Sequence, residues 1–163
     1  MAILDAKLVF SDAQSLAGLA NHSVGSTNAV KLGTGYNCWG DTEYNNIGEG
    51  GDLWLNVKVA TTFTAGTGTT VYLRTASTAA NAASDAGTLV ATYGGDVGGG
   101  GTWRAGNTIV RAKIPAGYKA TTGIWTPLSE YIGLSYLNVD SALVAGAVDA
   151  WISMDSESEV PSS

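Results

Sequence analysis

A chain of 163 residues with one cysteine, Cys38, and one histidine, His22, can form no internal disulfide and holds too few soft ligands for a usual zinc site. Eight Lys and Arg against fourteen Asp and Glu give a net charge of −6 with the basic residues scattered, so a duplex-binding surface of clustered cations is not expected. At this length a single domain buries roughly 70% of the surface that its unfolded chain exposes, enough for a core without covalent staples.

The chain opens on Ile3-Leu4-Asp5-Ala6-Lys7-Leu8-Val9-Phe10-Ser11-Asp12-Ala13-Gln14. Asp5 and Lys7 interrupt its apolar run, which argues against a signal peptide or a membrane span, and no later stretch approaches about 18 consecutive apolar residues. The chain therefore reads as soluble and cytoplasmic at synthesis. Strands are predicted at Lys7 to Phe10 and, after the loop that carries Asn21-His22-Ser23, at Asn28 to Leu32. The segment from Tyr36 to Gly50 reads as a loop. Asp41, Glu43, Asn45, Asn46, Glu49 and Asp52 cluster there, but Asn46 occupies the position at which a calcium-binding EF-hand loop requires glycine, so a solvated loop is expected.

From Asp52 to Val59 the pattern becomes periodic. Leu53, Leu55, Val57 and Val59 fall on one face, with Trp54, Asn56 and Lys58 on the other, the period of two of a half-buried strand. Thr69 to Thr75 repeats it, opposing Val71 and Leu73 to Tyr72 and Arg74. Ala76 to Ala86 is rich in alanine but lacks a large apolar face, so it reads as a loop with one helical turn. A strand at Thr88 to Tyr93 precedes the glycine run Gly98-Gly99-Gly100-Gly101, which lacks the Gly-Lys-Ser/Thr ending of a phosphate-binding loop and reads as a long flexible connection. Asn107 to Ile114 sends Val110, Ala112 and Ile114 one way and Ile109, Arg111 and Lys113 the other. Tyr131 to Val139 and Ala147 to Met154 complete about eight strands, separated by Gly-rich turns. That pattern predicts an all-β fold, an antiparallel β-sandwich of jelly-roll type, as one domain over 1–154. The acidic tail 155–163 has little to bury and is expected to be flexible.

The sequence offers no catalytic constellation. His22 lacks a Gly-x-Ser-x-Gly nucleophile nearby, Cys38 lacks an orienting partner, and nothing brings Glu130 and Asp149 to the about 5 to 10 Å spacing of a glycosidase pair. No catalytic residue, metal site or cofactor is expected. The aromatics carry more information. Trp54, Tyr72 and Trp151 occupy nominally outward positions, and Arg74, Arg111 and Lys113 share those faces. Such rings either shield their own sheet through cross-strand pairs or, with arginine, anchor a protein contact. A carbohydrate-binding module that stacks sugars on exposed Trp and Tyr is the alternative.

The opening motif, followed by Ser26-Thr27-Asn28-Ala29-Val30-Lys31-Leu32-Gly33, resembles the capsid cement (decoration) proteins of short-tailed phages. The same order of weaker motifs continues through Gly51 to Phe63, Thr69 to Ala80, Ile109 to Gly117, Glu130 to Val139 and Gly146 to Asp155, and departs at Tyr36 to Gly50 and Gly94 to Trp103. The resemblance implies a virion structural protein on the capsid exterior, made in the host cytoplasm. Its implied partners are the major capsid protein and further copies of itself, as homodimer or homotrimer, with no nucleic acid and no membrane. Ala2 to Phe10 and open sheet edges would add backbone pairing with a neighbour.

Overall fold

The computed structural model describes residues 8–18, 23–32, 34–36, 42–44, 53–64, 68–96, 103–138 and 144–153. Among them the elements are β1 (Val9–Ser15), β2 (Ser23–Gly25), β3 (Val30–Lys31), β4 (Thr34–Tyr36), β5 (Thr42–Tyr44), β6 (Trp54–Thr64), β7 (Gly68–Ala76), α1 (Ala79–Ala82), β8 (Thr88–Asp96), β9 (Thr108–Lys113), β10 (Gly117–Lys119), β11 (Trp125–Pro127), β12 (Tyr131–Asn138) and β13 (Ala145–Ser153).

Two antiparallel sheets form the sandwich. The first runs β1-β13-β6-β9; the second runs β2-β12-β7-β8, with β3 also paired to β12. The pairs β4-β5 and β10-β11 stand apart as hairpins. Alternation places the core as the sequence predicts: Leu55, Val57, Val148 and Ala150 of the first sheet join Val71, Leu73, Ile132, Leu134 and Tyr136 of the second in one buried cluster. Each fully buried aliphatic side chain contributes about 1.5 to 3 kcal/mol, which is the main force holding the layers together.

All eight expected strands are present, although the count of about eight falls short of the thirteen described. The five additional strands are three residues long, too short to show a period in sequence. β1 runs on to Ser15, beyond the expected end at Phe10. Its register against β13 slips twice, and Ala13 takes φ 44° there, with its N–H donating to Asp149 Oδ1 at 2.6 Å. Such bulges turn a strand and hide its alternation. Val9 and Phe10 therefore belong to a strand that pairs within the chain, and Phe10 is wholly buried. Residues 1–7 and the tail 155–163 lie outside the described residues.

The edges of the two sheets meet at β1 and β2. Gln14 Nε2 donates to Gly25 O at 2.7 Å, Gln14 Oε1 accepts from Thr27 N–H at 2.9 Å, and Asn28 N–H donates to Phe10 O at 2.8 Å. The connection between β7 and β8 folds over the outer face of the second sheet. It holds the single helical turn expected at Ala76 to Ala86, capped by Thr78, whose Oγ1 accepts from Asn81 N–H. Glycine is required beneath it, because a Cβ at Gly25 or Gly133 would collide with the carbonyls of Ala83 and Ala82.

Candidate functional site

The outward side of the first sheet carries a compact array of rings and cations. Trp54 on β6 lies opposite Lys113 on β9 and Ser153 on β13; one row on, Asn56 lies between Arg111 and Trp151; beyond it Lys58 lies between Thr108 and Asp149. The intervening Leu55 and Val57 are fully buried, which fixes these rows on the face away from the core. The Lys113 ammonium sits 5.6 Å from the Trp54 ring centroid, and the Lys58 ammonium 5.6 Å from that of Trp151. Each such pair contributes roughly 0.5 to 1 kcal/mol where solvent remains close.

The centre of the face is less open than its alternation suggests. Trp151 is only 8% exposed, and its Nε1 is buried without a hydrogen-bond acceptor among the described residues. Asn56 beside it is 3% exposed, with Nδ2 donating to Ser153 Oγ at 2.8 Å. The physical reason is that β6 and β13 are the central strands of this sheet, so long side chains such as Lys58 lie over their neighbours. Trp151 is thus a buried ring and not the exposed stacking platform expected of a sugar-binding surface. Trp54 is half-buried, and Arg111 and Lys113 are exposed.

Tyr72 and Arg74 stand on the second sheet and share no surface with the other four. Arg74 is committed within the chain: Nε donates to Ser135 Oγ at 2.8 Å, Nη1 to Gly87 O at 3.0 Å, and Nη2 pairs with Asp85 Oδ1 at 2.7 Å. Its guanidinium also lies 5.4 Å from the Tyr72 ring centroid. With its side chain 13% exposed, Arg74 is a staple that fastens the β7–β8 connection onto β12.

Glu130 and Asp149 are kept apart by the architecture. Glu130 precedes β12 and pairs with Lys31 Nζ at 2.9 Å, its hydrogen bond and charge raising the Lys31 pKa, whereas Asp149 lies on β13 of the other sheet. No group of three His, Cys, Asp or Glu side chains suited to a metal occurs among the described residues. His22, Cys38, the glycine run 98–101, and Asp41, Asn45, Asn46, Glu49 and Asp52 lie outside them; Glu43 falls in β5. No described helix is long and apolar enough to cross a membrane.

Sequence reasoning passed over two exposed apolar residues, Ile124 at 67% and Trp125 at 63%, on the β10-β11 hairpin. Their strands are too short for alternation to mark an outward ring; the signal available was a tryptophan two residues before Pro127 in a stretch that shows no strand pattern. The chain matches no protein-family model and no curated protein.

Proposed function

We propose that this chain is a virion structural protein that binds the outer surface of an icosahedral phage capsid and cements neighbouring major capsid subunits, stabilising the DNA-filled head. Two lines support the proposal: the ordered resemblance to capsid cement proteins, and an antiparallel β-sandwich on one outer face of which Trp54, Arg111 and Lys113 gather. The observation that carries it is that gathering. Trp54, Arg111 and Lys113 come from two strands, yet they occupy adjacent rows of one sheet face, with the buried Trp151 ring in the same row as Arg111. Rings stiffened by cations lose little freedom on docking, and aromatic and arginine side chains dominate the energetics of protein contacts.

The cementing action follows from repetition. A modest contact made by each copy across a subunit joint is multiplied by the symmetry of the shell, so the summed gain resists internal pressure although no single contact is strong. Homodimers or homotrimers on symmetry axes fit the same scheme, and the net charge of −6 suits a surface away from packaged DNA. A sugar-binding role for this face is the poorer fit, because Trp151 is 8% exposed.

Sedimentation of the purified chain with phage heads that lack it tests the proposal. Saturable binding at a symmetry-allowed ratio to the major capsid subunit, with heads more resistant to heat or chelator, is the expected result. Arg111→Glu lowers that binding about tenfold or more. Failure of the unaltered chain to sediment with heads, alongside binding to glycans, selects the carbohydrate alternative.

A further inference from the structure

Charge is distributed along this chain in two unequal parts. Residues 97–129 contain Arg104, Arg111, Lys113 and Lys119, half of the basic residues, and not one of the fourteen acidic residues. The remainder holds four basic residues against those fourteen, a net charge of −10. The acid-free segment builds β9, with Arg111 and Lys113 exposed, and after a three-residue link the β10-β11 hairpin, with Lys119 exposed. At the end of that hairpin stand Ile124 and Trp125.

The tip is held in one geometry. Ala120 N–H donates to Ile124 O at 2.9 Å, Gly123 N–H donates to Ala120 O at 2.8 Å, and Gly123 supplies the positive φ of 81° that this turn demands. Trp125 pairs with Lys119 across the hairpin, and its indole lies against Gly117, where an added Cβ would come within 3.0 Å of Cε2 and Nε1. The ring is backed by its own hairpin and remains 63% exposed. A large apolar ring held rigidly in water gains by burial and loses little conformational entropy when it docks.

We infer that the β10-β11 tip is a protein-docking anchor: Trp125 and Ile124 enter an apolar pocket of a partner protein, and Lys119 meets carboxylates at the rim of that pocket. Charge complementarity selects this occupant. Lys119, exposed beside the two rings in a segment without acid, is complementary to carboxylates placed locally at the rim of a pocket on a protein that is not itself strongly acidic, whereas a second copy brings its own net charge of −6 against this one. A nucleic acid is disfavoured for the same reason, since the net −10 of the remaining chain repels a polyanion. The inference rests on the proposed function in one respect, that the partner is the capsid subunit, and it adds a contact separate from the Trp54 face.

The test is quantitative sedimentation of the full chain with DNA-free heads that lack it, comparing the unaltered chain with Trp125→Ala, Ile124→Ser and Lys119→Glu, and with Val144→Ser as a control at another exposed apolar site. All four side chains are exposed, so circular dichroism and thermal unfolding are expected to match the unaltered chain. Trp125→Ala weakens binding about tenfold or more, Ile124→Ser less, and Val144→Ser not at all. Lys119→Glu weakens it at about 50 mM salt, and that deficit shrinks toward about 500 mM as screening removes the charge contrast. If the unaltered chain binds and Trp125→Ala binds within about twofold of it, the anchor is overturned and the proposed function stands. If the unaltered chain does not bind, the proposed function falls and takes this partner with it. Quenching of tryptophan fluorescence by a single-stranded oligonucleotide, lost in Trp125→Ala, overturns the protein pocket in favour of base stacking.

Discussion

Tyr136 is the largest fully buried side chain among the described residues, and its hydroxyl is hydrogen-bonded to Ser11. Ser11 Oγ lies 2.8 Å away and itself donates to Gln14 Oε1 at 2.6 Å, so the tyrosine donates to the serine. This short relay joins β12 of one sheet to β1 of the other through the core. Tyr136→Phe removes one hydrogen bond and leaves Ser11 still bonded to Gln14, at a cost of about 1 kcal/mol in urea unfolding at neutral pH. Burial also raises the Tyr136 pKa well above the ordinary tyrosine value, and it raises that of Tyr93 in the same direction. The unfolded chain releases these protons near pH 10 while the folded chain retains them, so the unfolded state binds fewer protons and stability falls as pH rises. Below about pH 10 stability is insensitive to this group; from there to about pH 12 the unaltered protein loses stability steeply. Tyr136→Phe follows a shallower slope over that window, with the rest of the slope left to Tyr93 and to Lys31, whose raised pKa acts in the same direction. Equal slopes for the two proteins in urea midpoints against pH show that Tyr136 ionises normally.

The connection between β7 and β8 shows how an element can be shaped by residues that lie far from it in sequence. Arg74 reaches Ser135, 61 residues away, and the loop carbonyls at Asp85 and Gly87, while Gly133 clears the space in which Ala82 rests. Arg74→Met removes these charge-assisted bonds and costs about 1.5 to 3 kcal/mol, with loss of hydrogen-exchange protection confined to residues 77–87. Gly133→Ala forces the helical turn off the sheet and costs about 1 to 3 kcal/mol. A protection pattern unchanged by Arg74→Met removes the staple. This role was illegible in sequence, where Arg74 is one more outward residue beside Tyr72. The strands β6, β7 and β9 were legible, because a sheet with one buried face writes a period of two into its sequence. Trp151 was half legible: alternation gives its face correctly, but not that the side chains of two central strands cover it. The hairpin that carries Trp125 was not, since three-residue strands complete no pattern.

At the scale of the molecule, the two open sides of the sandwich are closed to different degrees. Where β1 meets β2, Gln14 makes three hydrogen bonds, to Ser11, Gly25 and Thr27, between 2.6 and 2.9 Å. Where β8 approaches β9, the corresponding bond is Tyr93 OH to Lys113 O at 3.5 Å, the limit of useful geometry. Gln14 therefore contributes more to holding the two layers together than the Tyr93 hydroxyl does. Gln14→Leu conserves size but leaves Thr27 N–H and Gly25 O without this partner, at a cost of about 2 to 4 kcal/mol; Tyr93→Phe costs less than about 1 kcal/mol. For a chain of this length those losses lower the thermal midpoint by about 4 to 16 °C and less than about 4 °C respectively. Equal shifts in calorimetry show that the two sides close alike. The contrast also separates affinity from mechanical strength in the proposed function. Trp54, Lys113 and Arg111 stand on β6 and β9, away from Gln14, so Gln14→Leu sediments with heads as the unaltered chain does at low temperature. Heads cemented with it fail at a lower temperature, because a cement holds a joint only while its own layers remain joined. Heads that fail at the same temperature with either protein place the weak point in the contact itself, and weakening of Trp54→Ala heads alone then identifies the face that yields.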